Sequence, residues 1–131
     1  MHVNWVMVIV TAVLQWILAF VWYGIIFRKS WRKLVGLPEG EKPKNVVFAG
    51  IVAFIACLLL SFVMVHVDMW AGAKLFPAGA AIGTVCWIGF MAPPLLAQHV
   101  FEGRRVNLFA INAAYWLLAM SLGSGLLAAI R

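Results

Sequence analysis

The residues of this chain best suited to chemistry are few and scattered. His66 and Asp68 lie two apart near the end of one apolar run, His2 opens another, and Met64 and Met69 stand close by. Imidazole, carboxylate and thioether are ligands that a transition metal such as copper accepts. Residues two apart on an α-helix point in different directions, however, and no spacing of the HExxH kind is present. His2, His66 and Asp68 are therefore weak metal candidates, explained as simply by interfacial groups bonded to headgroups. His99 and Glu102 are three apart, with Arg104 and Arg105 following. They resemble an acid–base pair, yet no nucleophile, oxyanion donor or phosphate loop accompanies them, and a structural ion pair is the expectation. Gln15, Gln98, His99, Asn112 and Tyr115 interrupt apolar surroundings and are the candidates for a polar bundle interior or a pathway. No catalytic set and no cofactor motif emerges, so neither an enzyme nor a cofactor is expected.

The elements that must position these groups follow from composition. Of 131 residues, 66% are hydrophobic and 11% charged, far outside soluble averages. Stretches 1–27, 45–67, 75–97 and 106–130 contain no Asp, Glu, Lys or Arg. Each exceeds the roughly 20 residues that a helix needs to cross a hydrocarbon core. None alternates with period two, which argues for helices rather than barrel strands. The expected fold is all-α: one domain, a four-helix transmembrane bundle with spans at about 4–27, 46–68, 76–98 and 107–130. The first span lacks a preceding cation and is far longer than a signal peptide's apolar core, so it is expected to stay as an anchor. Neither Asp nor Glu falls at mid-membrane depth, which disfavours a proton-coupled transporter. Cys57 and Cys86 lie mid-span and read as small packing residues.

Six of the ten Lys and Arg residues fall in 22–44, between the first two spans. Arg28, Lys29, Arg32 and Lys33 alternate with Phe27, Trp31, Leu34 and Val35 so that a helix here has one cationic and one apolar face. This is the expected cytoplasmic amphipathic helix, with Arg28, Lys29, Trp31, Arg32 and Lys33 at the lipid headgroups. Gly36, Pro38 and Gly40 should end it. The first and third loops together hold eight cations against Lys74 and Arg131 on the other side. The positive-inside rule then places both termini outside the cytoplasm, in the cell (inner) membrane. Beside membrane spans a net charge of +6 speaks for anionic headgroups as the partner rather than nucleic acid.

Small residues mark helix contacts. Ala49, Ala53, Cys57 and Ser61 recur every four residues, Gly79 and Gly83 form a G-x-x-x-G pair, and Ser121, Gly125 and Ala129 make a third ridge. Such ridges outnumber what one bundle needs, and a homo-oligomer, a dimer in the first instance, is expected. Pro93 and Pro94 lack the N–H a helix uses and predict a kink or local unwinding. The two halves share a topology but match only faintly in sequence.

Two motifs carry a resemblance over essentially the whole chain. Trp22 to Leu37, WYGIIFRKSWRKLVGL, and Trp87 to Tyr115, with WIGF and then VFEGRRVNLFAINAAY, are similar to the paired signatures of the bacterial family catalogued as domain of unknown function 1761. The matching positions are Trp22, Tyr23, Trp31, Gly89, Phe90, Glu102, Arg104, Asn107, Asn112 and Tyr115; Trp116 departs from the pattern. The resemblance implies a small four-helix membrane protein and brings no reaction with it. Two functions are thus expected to compete: a non-enzymatic module that self-associates or binds a partner or lipid, and an oligomeric channel or transporter with its pathway between protomers. A dry core favours the first and a continuous hydrated pathway the second. Trp22, Tyr23 and Trp31 are the part of the basic stretch that topology does not explain, and the expected place for its helix to dock.

Overall fold

The computed structural model describes residues 3–36 and 46–130. Helix α1, Trp5–Val21, opens on Asn4, whose side-chain oxygen accepts the Met7 N–H at 3.2 Å, and continues through a π-helical turn, Trp22–Ile26. The short α2 follows at Arg28–Val35, then α3 at Val46–Ala71. Helix α4, Phe76–Cys86, passes through a second π turn, Trp87–Met91, into α5, Ala92–Phe101, and α6 covers Val106–Ile130. Four helical stretches, Trp5–Ile26, Val46–Ala71, Phe76–Phe101 and Val106–Ile130, are each long and apolar enough to cross a membrane. That is the build of a multi-pass membrane protein. The second and third run three residues beyond the expected spans.

Sequence punctuation sets the boundaries. Pro77 occupies the first turn of α4, where its missing N–H costs nothing. Gly72 and Gly103 take positive φ, 75° and 71°, just beyond α3 and α5. In that left-handed conformation the Ala73 and Arg104 N–H groups turn back to Asp68 O (2.9 Å) and His99 O (2.8 Å). Both helices are thereby closed by the two-bond glycine cap. Pro93 and Pro94 do not break their helix; the widened turn at Trp87–Met91, immediately before them, absorbs the missing donors.

Helix α6 is the centre of the bundle. It touches α1, α2, α3, α4 and α5, and half of its most apolar window is buried, against 6% for the α4–α5 window. Size is distributed inside out. Ala113, Ala119, Gly123, Ser124, Gly125 and Ala128 of α6 are buried, while Phe48, Leu59, Phe90 and Phe101 face outward. In lipid this costs nothing, because hydrocarbon is as apolar as a core; close packing and hydrogen bonds bring the helices together instead. The closest approach is α4 on α6. A Cβ on Gly79 would lie 2.6 Å from the Ala128 Cβ, and one on Gly83 would lie 2.7 Å from the Met120 carbonyl carbon. Gly125 leaves the same kind of room for the Phe76 ring. Gly79, Gly83 and Gly125 thus serve contacts within one chain, with the Ser121 backbone against Gly83, and give no support of their own to the expected dimer; Ala129, the last residue of its ridge, is exposed.

Candidate functional site

Gln15 sits where α1, α3 and α6 meet. Its side-chain oxygen accepts from Ser61 Oγ at 2.9 Å, its Nε2 donates to Ala119 O at 2.9 Å, and its own backbone carbonyl accepts the Tyr115 O–H at 2.8 Å. The Cys57 Sγ lies 3.8 Å from the Tyr115 hydroxyl, whose oxygen is left to accept. All four side chains are buried. Gly123 makes the space, since a Cβ there would collide with Gln15 Nε2.

A second polar group lies toward the end of the bundle that carries α2. The Tyr23 O–H donates to Asn112 Oδ1 (2.8 Å), Asn112 Nδ2 meets His99 Nε2 (3.2 Å), and His99 Nδ1 meets Leu95 O (2.9 Å). A carbonyl only accepts, so Nδ1 bears the proton and Nε2 takes the Asn112 N–H; the tautomer is assigned from this chain of partners. His99 is buried. It does not pair with Glu102 as expected, because α5 stops at Phe101; Glu102 instead meets Arg104 at 3.3 Å in an exposed pair. Such a pair contributes little to stability.

Around these groups three tryptophans donate to backbone carbonyls of neighbouring helices: Trp16 to Gly50 O (3.1 Å), Trp22 to Ile111 O (3.0 Å) and Trp87 to Ala113 O (2.9 Å). Trp22 and Trp87 each open a W-x-G segment that folds as a π turn, and both reach α6 carbonyls two residues apart. The faint sequence match between the halves is thus one local device used twice. The Tyr23 ring lies 5.6 Å from Tyr115 and 5.7 Å from Trp31, edge-on to the latter. Trp31 of α2 therefore docks on Tyr23, as expected of these aromatics.

The remaining candidates separate. Asp68 is fully buried rather than interfacial, and Ser124 Oγ donates to its Oδ1 at 2.7 Å. His66 turns away to an aromatic group, with ring centroids 4.6 Å from Phe62 and 6.0 Å from Trp70, and its Nδ1 meets Phe62 O. His2 lies outside the described residues, and among those described no three His, Cys, Asp or Glu side chains converge on a metal position. Gln98 is exposed and joins neither polar group. Arg28 and Lys29 are exposed, Arg32 half-buried, and Lys33 faces a groove of about 410 Å³ between α2 and the start of α6.

The profile of the family described as Protein of unknown function (DUF1761) matches residues 6–128. The chain belongs to the DUF1761 family. Neither a curated protein nor a solved structure is matched by it. Of the positions that carry the DUF1761 resemblance, Trp22, Tyr23, Trp31, Asn112 and Tyr115 meet around one spot, while Gly89 and Phe90 lie in the second π turn. Sequence reasoning missed Ser124 and read Ser61 only as a small packing residue, since their hydroxyls sit on helices distant in sequence from the groups they serve. It also missed Ser30, and it gave no sign that Arg105 and Asn107 would share a groove with Lys33, which only the folding of α2 against α6 brings about.

Proposed function

We propose that this chain is a non-enzymatic membrane module that engages anionic lipid headgroups with the basic end of its bundle. What supports the reading is the state of the polar interior: Gln15, Tyr115, Asn112 and His99 bond to one another and to backbone, and the pocket of about 240 Å³ that Gln15 borders between α1 and α6 is otherwise lined by Thr11, Ala119, Gly123 and leucines and reaches none of the other three. Buried polar groups satisfied in this way brace helices. A conducting pathway between protomers would leave such groups facing water, and Gln98, Pro93 and Pro94 are exposed on the outside of the bundle without joining them.

In this reading α2 is an amphipathic helix in the cytoplasmic headgroup layer of the cell (inner) membrane, with Trp31 toward the bundle and Arg28 and Lys29 toward lipid phosphates. Both termini lie on the opposite side. Self-association, where it occurs, uses a face other than the α4–α6 contact. Anionic lipid should therefore stabilise the protein: in mixed micelles, phosphatidylglycerol raises the unfolding midpoint more than phosphatidylcholine does, and the difference shrinks in 1 M salt, roughly where screening extends over about 3 Å. Equal shifts with the two lipids contradict the reading.

A further inference from the structure

The groove between α2 and α6 has two unlike surfaces. Ser30 and Lys33 from α2, with Arg105 and Asn107 from the start of α6, give it two cations and two neutral hydrogen-bonding groups. Leu34 and Ile111 supply apolar lining, and Ile111 is largely buried, its carbonyl fixed by Trp22. Among the described residues no carboxylate lines it, and Glu102, the nearest in sequence, is held by Arg104. Lys33 and Arg105 are exposed, with no ion pair among the described residues. The volume of about 410 Å³ is within the range of small-ligand sites.

We propose that this groove binds the phosphodiester of an anionic phospholipid. Lys33 and Arg105 face the phosphate oxygens, Ser30 and Asn107 bond to phosphate or glycerol oxygens, and Leu34 and Ile111 receive the start of the acyl chains. Two cations with no carboxylate beside them among the described residues select a phosphate that carries no compensating ammonium. The apolar lining beside them selects a phosphate attached to hydrocarbon over a soluble one. The position, at the end of α1 and the beginning of α6, is where the glycerophosphate layer lies when Trp22 and Tyr23 occupy the interface. The inference rests on the headgroup reading above and gives it one site and one ligand.

The test is lipid retention by the full chain. The purified protein is equilibrated with equal amounts of phosphatidylglycerol and phosphatidylcholine, and bound lipid is weighed by native mass spectrometry. The wild type should retain phosphatidylglycerol with a preference of about tenfold or more, the scale set by two interfacial cations. Lys33→Gln with Arg105→Gln should bring the ratio to within about twofold of parity, while Arg28→Gln with Lys29→Gln, which removes as much charge from the same headgroup layer but none from the groove, should lower it by a clearly smaller factor; an equal loss in the two variants overturns the site. All of these side chains are exposed, and unchanged thermal unfolding in detergent verifies that both variants fold. Parity in the wild type overturns the headgroup reading together with the site. A preference that survives in the Lys33/Arg105 variant overturns the site and leaves the reading standing. Displacement of the lipid by millimolar glycerophosphate assigns the groove to a soluble phosphoester and overturns the lipid as its occupant.

Discussion

Gly83→Val is expected to destabilise the protein by about 3 kcal/mol or more, because the added side chain enters backbone rather than a yielding side chain. Its Cβ would lie 2.7 Å from the Met120 carbonyl carbon and 2.9 Å from the Ser121 Cα. Neither can retreat without moving α6, and moving α6 disturbs every other helix, since it is the common partner of all five. The α4–α6 contact must then open, losing the dispersion contacts that hold helices together in lipid. Gly50→Ala is the matched control: nothing lies within 4 Å of its new methyl group, and little change is expected. Unfolding titrated with SDS in mixed micelles reads both. A small cost at Gly83 contradicts the close α4–α6 packing.

Gln15→Ala is expected to cost about 2–3 kcal/mol in the same assay. It removes a donor and an acceptor at once, leaving Ala119 O without its side-chain donor and the Ser61 hydroxyl without its acceptor inside the bundle. Measured bonds between membrane helices average about 0.6 kcal/mol with a maximum near 1.7, so two bonds alone do not reach the full figure. The remainder comes from the void beside Gly123, the residue whose lack of a side chain admits Gln15. Gln15→Met separates the two contributions. It keeps the volume, loses both bonds, and should cost about 1–2 kcal/mol. Combining Gln15→Ala with Ser61→Ala should be less than additive by about 1 kcal/mol, as expected for residues that share a bond.

These residues also mark how far the sequence was legible. The four spans could be read from length and composition alone, because crossing hydrocarbon demands an uninterrupted apolar helix and little else does. Gly79, Gly83 and Gly125 were recognisable as contact residues, since a small side chain permits approach wherever it occurs. Whether the approaching helix belongs to the same chain is a property of the whole bundle, and no local pattern carries it. Asp68 looked interfacial from its place near the end of a span; its burial depends on Ser124, 56 residues away on α6. His99 looked like the partner of Glu102 because three-residue spacing implies contact only while a helix continues, and the cap at Gly103 ends it. The π turns at Trp22 and Trp87 leave no periodic signal, being one turn long. The groove at Lys33 and Arg105 depends on where α2 folds back, which the Tyr23–Trp31 contact fixes.

The account stands on a polar interior that is closed to water. Cys57, buried against the Tyr115 hydroxyl, reports on that interior directly. With Cys86 replaced by Ala, a charged, membrane-impermeant thiol reagent is applied to the protein in sealed vesicles of known orientation and modification is read as a mass shift. Lys74→Cys and Arg104→Cys, both exposed positions at opposite ends of the bundle, serve as references for the two sides of the membrane, extracytoplasmic and cytoplasmic in the proposed orientation. The expected result is labelling of each reference from its own side alone and no labelling of Cys57 until SDS unfolds the bundle. Modification of Cys57 in the intact bundle, at a rate within about tenfold of the references, would mean that water reaches Tyr115 and Gln15, and would contradict the closed core.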